Sequence, residues 1–148
     1  FEGLRKENIH TALDTSGMFA ITPDIEKVLS LTDLVLLDIK HIDPEKCKEL
    51  VGLSNEKELT FARYLSDHNI PIWIRQVIVP GITDDPKDLV QLKQFLSELK
   101  TVKRIDLLPY HSLGKFKWEN LGLSYPLAGV RDATSDDIKR AKEILGLT

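Results

Sequence analysis

LVLLDIK, residues 34–40, is an apolar run that ends in an acid and a base separated by one residue. Alternate side chains of an extended strand point to the same face, so Asp38 and Lys40 share a face of this segment. A fully apolar strand is normally buried on both sides, and its end is where polar side chains can meet a ligand. We therefore expect a buried strand of a parallel sheet with Asp38 and Lys40 at its mouth.

Strand-like and helix-like segments alternate along the rest of the chain. Apolar runs predict strands, and apolar residues at helical spacing behind N-cap and proline signals predict helices. This alternation is typical of right-handed βαβ crossovers and a parallel sheet. The predicted strands are 9–14, 33–40, 71–81 and 102–111, and 112–131 is predicted to be irregular. The predicted helices are 23–30, 44–50, 56–68, one that begins at Pro86 with Asp85 as its N-cap, and 136–145. The N-caps predicted for the other helices are Thr22, Ser54 or Asn55, and Ser135.

Composition excludes several classes of protein. The 148 residues are 42% hydrophobic and 29% charged, which suits one globular domain. The net charge of −3 gives no electrostatic footprint for nucleic acid or an anionic membrane, and no apolar run approaches the ~20 residues of a membrane span. The single cysteine, Cys47, cannot form an internal disulfide, which is typical of a reducing, cytoplasmic environment.

Polar residues lie at or near the carboxyl end of every predicted strand. Ligands of parallel α/β sheets bind at this edge, whether the sheet is open or closed as a barrel. Taken singly, such residues are often only solvated strand ends, but Arg75 is exceptional because a charge inside WIRQVIV must find a buried partner or a ligand. The residues are Asp14 and Thr15, Asp38 and Lys40, Arg75 and Gln76, and Tyr110 and His111.

Four segments carry a family resemblance: LDTSG (13–17), DLVLLDIKH (33–41), IWIRQVIVPG (72–81) and LLPYHSLGKFKW (107–118). Together they resemble the second half of the pyruvate formate-lyase activating enzymes, glycyl-radical-enzyme activases of the radical S-adenosylmethionine superfamily. The resemblance implies an α/β fold, the parallel-sheet half of a partial (β/α)6 TIM-like barrel with helices on the outer face. Residues 1–148 would be the carboxyl-terminal half of this barrel domain, without the amino-terminal half that binds the cluster.

The resemblance also implies an activity for the intact protein. Family members are oxidoreductases that cleave S-adenosylmethionine with a [4Fe–4S] cluster, and the 5′-deoxyadenosyl radical abstracts a hydrogen atom from a glycine of the partner enzyme. The implied partners are a glycyl radical enzyme of the pyruvate formate-lyase type and an electron donor such as flavodoxin or ferredoxin. The implied cofactor-binding residues are Asp38, Lys40, Arg75 and His111, and the implied ligands of a monovalent cation are Asp14, Thr15, Asp38 and the carbonyl of Leu36.

The sequence departs from the family in its cysteines. It contains no Cys-x-x-x-Cys-x-x-Cys, and Cys47 alone cannot replace three thiolate ligands of a cluster. We therefore expect no cluster ligands and no catalytic residues in this chain, and no activity from the chain alone.

Two other readings of the same residues remain open. One is a different barrel enzyme, either a Schiff-base aldolase with Lys40 as nucleophile or a metal-dependent hydrolase that uses Asp14, Asp38 and His111. The other is a binding module without chemistry. The remaining histidines and aromatic residues are assigned to structure or surface: His10, His41 and His68 as non-ligands, Phe61 and Trp73 as core, and Trp118 as packing more than partner contact.

Overall fold

The computed structural model describes residues 1–147, which form a four-stranded, fully parallel sheet in the order β1–β2–β3–β4. The predicted parallel sheet, with strands in sequence order, is therefore confirmed. The first strand is shorter than predicted, because Ile9 is half exposed and the ladder with the second strand begins only at Ala12. The strands are β1 (Ala12–Thr15), β2 (Leu34–Asp38), β3 (Ile72–Ile78) and β4 (Val102–Pro109).

Helices connect and follow the strands. Two short helices were not predicted: one at the beginning of the chain and one inside the segment 112–131, which had been assigned as irregular. Neither has a buried residue, so neither carries the apolar stripe from which helices are predicted. The helices are α1 (Glu2–Lys6), α2 (Pro23–Leu29), α3 (Pro44–Val51), α4 (Glu56–Asp67), α5 (Pro86–Glu98), α6 (Lys115–Asn120) and α7 (Ser135–Leu145), with a 3-10 turn at Ser112–Gly114.

Most of the predicted N-cap positions are confirmed, and one differs. The side chains of Thr22 and Asp85 accept hydrogen bonds from the first turns of α2 and α5, as predicted. The cap of α7 is Thr134 and not Ser135, because Thr134 forms a reciprocal capping box with Asp137. Asn55 stands at the cap position of α4, but its side chain makes no capping hydrogen bond and is used elsewhere.

One face of the sheet is covered by helices, and this face holds the core. Val35 and Leu37 of β2 pair in register with Ile72 and Ile74 of β3, and all four are fully buried. The helical residues of the core come from α2, α4, α5 and α7, and Phe61 of α4 lies among them as predicted. These four helices thus lie on one face of the sheet, as expected for part of a barrel.

The opposite face of the sheet is open, which corrects two predictions. Leu34, Leu36 and Asp38 are half-buried, so β2 is not buried on both sides. Trp73 also lies on this face and not in the core, with the guanidinium of Arg104 5.1 Å from its ring centroid. In a barrel this face would point to the interior, which is where ligands bind.

The turn after β1 depends on a glycine. Gly17 has φ +67°, and a Cβ atom there would lie 2.8 Å from Cδ1 of Phe61 and 3.1 Å from Cδ1 of Leu37. The hydroxyl of Thr15 accepts a hydrogen bond from the Gly17 amide at 3.0 Å. The close approach of the turn to Phe61 therefore fixes where the chain leaves the end of β1.

A long excursion, residues 112–132, follows β4 and is closed at its base. The Tyr110 carbonyl accepts from the Ala133 amide at 2.9 Å, and Asp132 Oδ1 accepts from the Ser112 amide at 2.7 Å. Within the excursion, the ring of Trp118 packs edge-on against Tyr125, which agrees with its assignment to packing. The two ends of the excursion are thus held together beside the end of β4.

Candidate functional site

The register of the sheet brings three predicted site residues together. Asp14 of β1 stands opposite Leu36 of β2, and Asp38 of β2 stands opposite Arg75 of β3. Asp14, Asp38 and Arg75 belong to the open face, and Lys40 follows on the same face beyond the end of β2. The parallel strands therefore place these charged side chains at one mouth of the open face.

These four side chains form one hydrogen-bonded network. Arg75 Nε donates to Asp38 Oδ1 at 2.6 Å, and Arg75 Nη1 donates to Asp14 Oδ2 at 2.9 Å. Arg75 Nη2 donates to Asp14 Oδ1. The Lys40 ammonium donates to Asp38 Oδ2 at 3.0 Å. Every carboxylate oxygen of the two aspartates thus accepts a charge-assisted hydrogen bond from Arg75 or Lys40.

The network is partly shielded from water. The side chains of Arg75, Asp38 and Lys40 are 21%, 24% and 31% exposed, whereas that of Asp14 is 61% exposed. The hydrogen bonds to Asp14, and then the one to Asp38, raise the pKa of the Arg75 guanidinium above its ordinary value. The partner predicted for Arg75 is therefore a pair of carboxylates. The four side chains, called the charged quartet below, are together formally neutral.

Among the residues that the structure describes, the other predicted site residues make no hydrogen bonds to the charged quartet through their side chains. Thr15 ends β1, and its hydroxyl accepts the Gly17 amide. Leu36 lies within the β2 ladder, between Asp14 and Trp73 in the register. His111 is exposed and follows β4 at the same edge of the sheet; among residues 1–147, no hydrogen bond joins its side chain to the charged quartet. The sheet brings Asp14, Asp38, Lys40 and Arg75 into contact and leaves His111 outside that contact.

The strand mouths border a small cavity. A cavity of about 50 Å³ lies at the strand mouths, against Asp38, Lys40 and Arg75, which is far smaller than the roughly 300–1,000 Å³ of typical cofactor pockets. Ammonium and guanidinium donors suit a carboxylate or a ribose oxygen, and an aspartate suits a hydroxyl or a cation. These residues fit the polar groups of S-adenosylmethionine, provided that further walls enclose it.

The described residues offer little support for a metal site. Within 1–147, no three His, Cys, Asp or Glu side chains are grouped so that they could hold a metal ion. Cys47 is fully buried, and burial raises the pKa of its thiol to about 11, so it is not available as a thiolate ligand. The residues of this chain therefore do not fit a [4Fe–4S] cluster.

Sequence reasoning missed the buried polar residues behind the site. Glu58 and Asn55, in and before the first turn of α4, are 0% and 2% exposed, and both contact the main chain just after β2. A signal was present: Glu58, Ala62 and Leu65 share one face of α4 at i, i+4 and i+7, so an acid occupies a core position. His41 also belongs to this buried polar group.

None of the helices in the described part of the chain is long and apolar enough to span a membrane.

Comparison with known proteins shows what the chain is similar to. No family model matches it. It is 47% identical over 150 residues to the pyruvate formate-lyase-activating enzyme of Streptococcus mutans, a match that covers 98% of this chain and 57% of that protein. Over almost its whole length, the chain is therefore similar to part of a pyruvate formate-lyase-activating enzyme. The pyruvate formate-lyase 1-activating enzyme of Escherichia coli K12 is 44% identical over 146 residues, covering 98% of this chain and 59% of that protein. The resemblance predicted from the four segments is confirmed, and the chain spans less than two thirds of the length of either relative.

Solved structures show the same fold. A domain of pyruvate-formate lyase-activating enzyme from Bacteroides vulgatus superposes with a TM-score of 0.78 at 23% identity, covering 96% of this chain and 78% of that one. Streptococcus suis SuiB bound to S-adenosylmethionine superposes with a TM-score of 0.60 at 18% identity, covering 72% of this chain and 24% of that one. At these identities the likeness establishes a shared fold, and it agrees with the predicted α/β architecture.

Proposed function

We propose that this chain supplies one wall of the S-adenosylmethionine site of a glycyl-radical-enzyme activating enzyme. The observation that carries the proposal is the meeting of Asp38, Lys40 and Arg75 at one strand mouth, in a chain that is 47% identical to a pyruvate formate-lyase-activating enzyme. The whole protein would be a radical S-adenosylmethionine oxidoreductase. Residues 1–148 would form the carboxyl-terminal half of its barrel domain.

The proposed roles follow from the donors and acceptors of each side chain. Lys40 would bind the cofactor carboxylate or a ribose oxygen, and Arg75 would add charge-assisted hydrogen bonds. Asp38 would accept from the ribose hydroxyls and hold the two cations in place. His111, at the end of β4, would border the adenosine. Because the residues of this chain do not fit a [4Fe–4S] cluster, the proposal assigns them binding and orientation of the cofactor, and assigns cleavage to the whole protein.

A monovalent cation is a further part of the proposal. Its ligands would be Asp14, Thr15, Asp38 and the carbonyl of Leu36, since hard oxygen ligands suit such an ion. All the carboxylate oxygens are bound to Arg75 or Lys40 in the present arrangement. Cation binding would therefore require Arg75 to release at least one carboxylate oxygen.

The proposed partners follow from the family. The protein substrate would be a glycyl radical enzyme of the pyruvate formate-lyase type, from which a glycine hydrogen is abstracted, and flavodoxin or ferredoxin would supply the electron. A cytoplasmic location and the absence of nucleic-acid and membrane partners belong to the same proposal. They rest on the single cysteine and on the net charge of −3.

The rival enzymes are less compatible with the geometry. The Lys40 ammonium donates to Asp38 at 3.0 Å, which suits an ion-pair donor more than the free amine that a Schiff-base aldolase requires. A metal-dependent hydrolase would need Asp14 and Asp38 as ligands, and both carboxylates are bound to Arg75. Borohydride trapping of Lys40 with a carbonyl substrate would support the aldolase.

The proposal is tested by calorimetric titration of the full-length protein with S-adenosylmethionine, followed by an assay for 5′-deoxyadenosine under anaerobic reduction. We expect binding and cleavage by the full-length protein and no cleavage by residues 1–148 alone. A full-length protein that contains its complete cluster and does not bind S-adenosylmethionine would overturn the proposal.

A further inference from the structure

A buried polar clamp lies behind the end of β2, on the helix side of the sheet. It consists of Asn55 and Glu58. Glu58 Oε1 accepts a hydrogen bond from the Lys40 amide at 2.9 Å. Asn55 Nδ2 donates to the His41 carbonyl at 2.9 Å and also to the Ile42 carbonyl. The clamp therefore holds the main chain at three successive residues, starting at Lys40.

The clamp begins where the sheet stops. The Ile39 amide still donates to the carbonyl of Arg75 at 2.9 Å, in the direction of the sheet. The next amide, that of Lys40, donates to Glu58 instead. Without the clamp, the Lys40 amide would have no hydrogen-bond partner, and the main chain at Lys40 would be part of an unsupported loop. The position from which the Lys40 side chain extends would then no longer be fixed.

His41 extends the clamp to the neighbouring strand exit. Its ring is 2% exposed, with Nδ1 accepting the Asp43 amide at 3.0 Å and Nε2 lying 3.1 Å from the Ile82 carbonyl, in the loop after β3. With Nδ1 as acceptor, Nε2 carries the proton and donates to Ile82. The exits of β2 and β3 are therefore tied together beneath Lys40 and Arg75.

Burial of the Glu58 side chain at a core position costs free energy. Its side chain is fully buried, and in the described part of the chain its Oε2 atom has no hydrogen-bond partner. Burial raises the pKa of Glu58 to about 8, so the carboxyl group is largely neutral at pH 7. An apolar side chain would fill this position of α4 without the cost of burying a carboxyl group. It could not, however, accept the hydrogen bond from the Lys40 amide.

We propose that Asn55 and Glu58 are positioning residues that fix the exit of β2 so that Lys40 stays aligned with Asp38 at the cofactor wall. This inference rests on the proposed function, because the cofactor that Lys40 would meet is S-adenosylmethionine. Neither residue touches the cofactor. Their effect passes through the main chain of residues 40–42.

The test uses the full-length protein and three substitutions in α4. Glu58→Leu removes the acceptor for the Lys40 amide, Glu58→Gln keeps an oxygen acceptor in a neutral side chain of the same shape, and Glu56→Gln is a matched control at an exposed position of the same turn. Two quantities are measured: hydrogen exchange of the Lys40 amide by NMR, and the Kd for S-adenosylmethionine by calorimetry.

We expect Glu58→Leu to accelerate exchange of the Lys40 amide and to raise the Kd about tenfold, the order of effect of one unsatisfied buried donor. Glu58→Gln and Glu56→Gln should stay within about twofold of the unaltered protein. Unchanged exchange in Glu58→Leu, or faster exchange with an unchanged Kd, would overturn the inference. If Glu58→Leu does not fold, Asn55→Ala takes its place, with the exchange of the amides of residues 40–43 and the Kd as readouts, and an unchanged exchange or an unchanged Kd would again overturn the inference.

The same experiment separates this inference from the proposed function. Failure of the unaltered full-length protein to bind S-adenosylmethionine would reject the proposed function, whereas the exchange of the Lys40 amide would still decide whether the clamp holds the strand exit.

Discussion

Arg75 Nε lies 2.6 Å from Asp38 Oδ1, and the two residues are direct partners in the ladder between β2 and β3. The same guanidinium reaches Asp14 on β1, so one side chain links the mouths of three strands. Since the open face gives these charges no helix to pack against, the ion pairs are what holds their side chains in place. Much of the order at the candidate site should therefore depend on Arg75.

Replacing Arg75 by alanine should lower the free energy of unfolding by about 1–2 kcal/mol, because Asp38 would be left half-buried without its strongest partner. Urea unfolding of residues 1–148 measures this change. Lys115→Ala is the control, since Lys115 and its partner Glu119 are both more than half exposed and such pairs contribute about 0.5 kcal/mol or less. Equal effects of the two substitutions would contradict the role given to Arg75.

Replacing Gly17 by alanine should destabilise the fold by about 2–4 kcal/mol, because the new Cβ would add left-handed backbone strain to a 2.8 Å approach to Phe61. Gly3→Ala is the matched control: Gly3 lies in α1 with no atom within 4 Å of a new Cβ, so the substitution should be neutral or stabilising. Thermal unfolding of both variants checks the prediction, and a neutral Gly17→Ala would refute the packing argument.

The stability of the chain should fall as the pH rises from about 4.5 to about 8. Glu58 has its pKa raised from 4.5 to about 8 by burial, so within this window the unfolded chain releases a proton that the folded chain retains. The loss should be on the order of a few kcal/mol and should level off above pH 8. Urea unfolding from pH 5 to pH 9 measures it.

Glu58→Gln cannot ionise and should remove this component of the pH dependence, whereas the exposed Glu56→Gln should keep it. Identical pH profiles for Glu58→Gln and the unaltered chain would show that Glu58 ionises normally in the folded state.

Lys40→Met should weaken S-adenosylmethionine binding by the full-length protein by about 2 kcal/mol or more without unfolding it, because Lys40 lies at a wet strand mouth. Lys48→Met is a suitable control, since Lys48 is exposed on α3 and makes no ion pair within the described residues. Calorimetric titration decides between them. An unchanged affinity in Lys40→Met would remove this residue from the cofactor site.

Residues 1–148 alone should not assemble a [4Fe–4S] cluster. Such a centre needs three thiolates here, and the only cysteine of the chain, Cys47, is buried with its thiol pKa raised to about 11. Anaerobic reconstitution with iron and sulfide should give the same negligible cluster absorbance for the unaltered chain and for Cys47→Ala. Stoichiometric iron in the unaltered chain that is absent in Cys47→Ala would contradict this.

The features that the sequence predicted well are those set by periodicity. The alternation of strand and helix patterns predicted a parallel sheet, and the charge inside β3 predicted a buried partner or a ligand for Arg75. The identity of that partner followed only from the register, which pairs Asp38 with Arg75 and which no local pattern contains. Trp73 was misplaced for a related reason: the pattern marks two faces of β3 but not which face the helices cover.

The residues that sequence reasoning missed act across long separations. Glu58 is 18 positions from Lys40, and only the packing of α4 under the end of β2 brings them together. The short helix α6 escaped detection because it buries no residue and so leaves no apolar stripe. Long-range hydrogen bonds and surface helices of this kind are decided by tertiary structure and not by local propensity.

Because the excursion after β4 is closed at its base, its length does not affect the geometry of the sheet. The Ser112–Asp132 and Tyr110–Ala133 hydrogen bonds join its two ends, so residues between them can be inserted or deleted at only a small cost in loop entropy. Leu113 and Leu121 within it are 74% and 73% exposed. A change in the length of the excursion after residue 118 would therefore leave β4 and the charged strand mouths beside it unaltered.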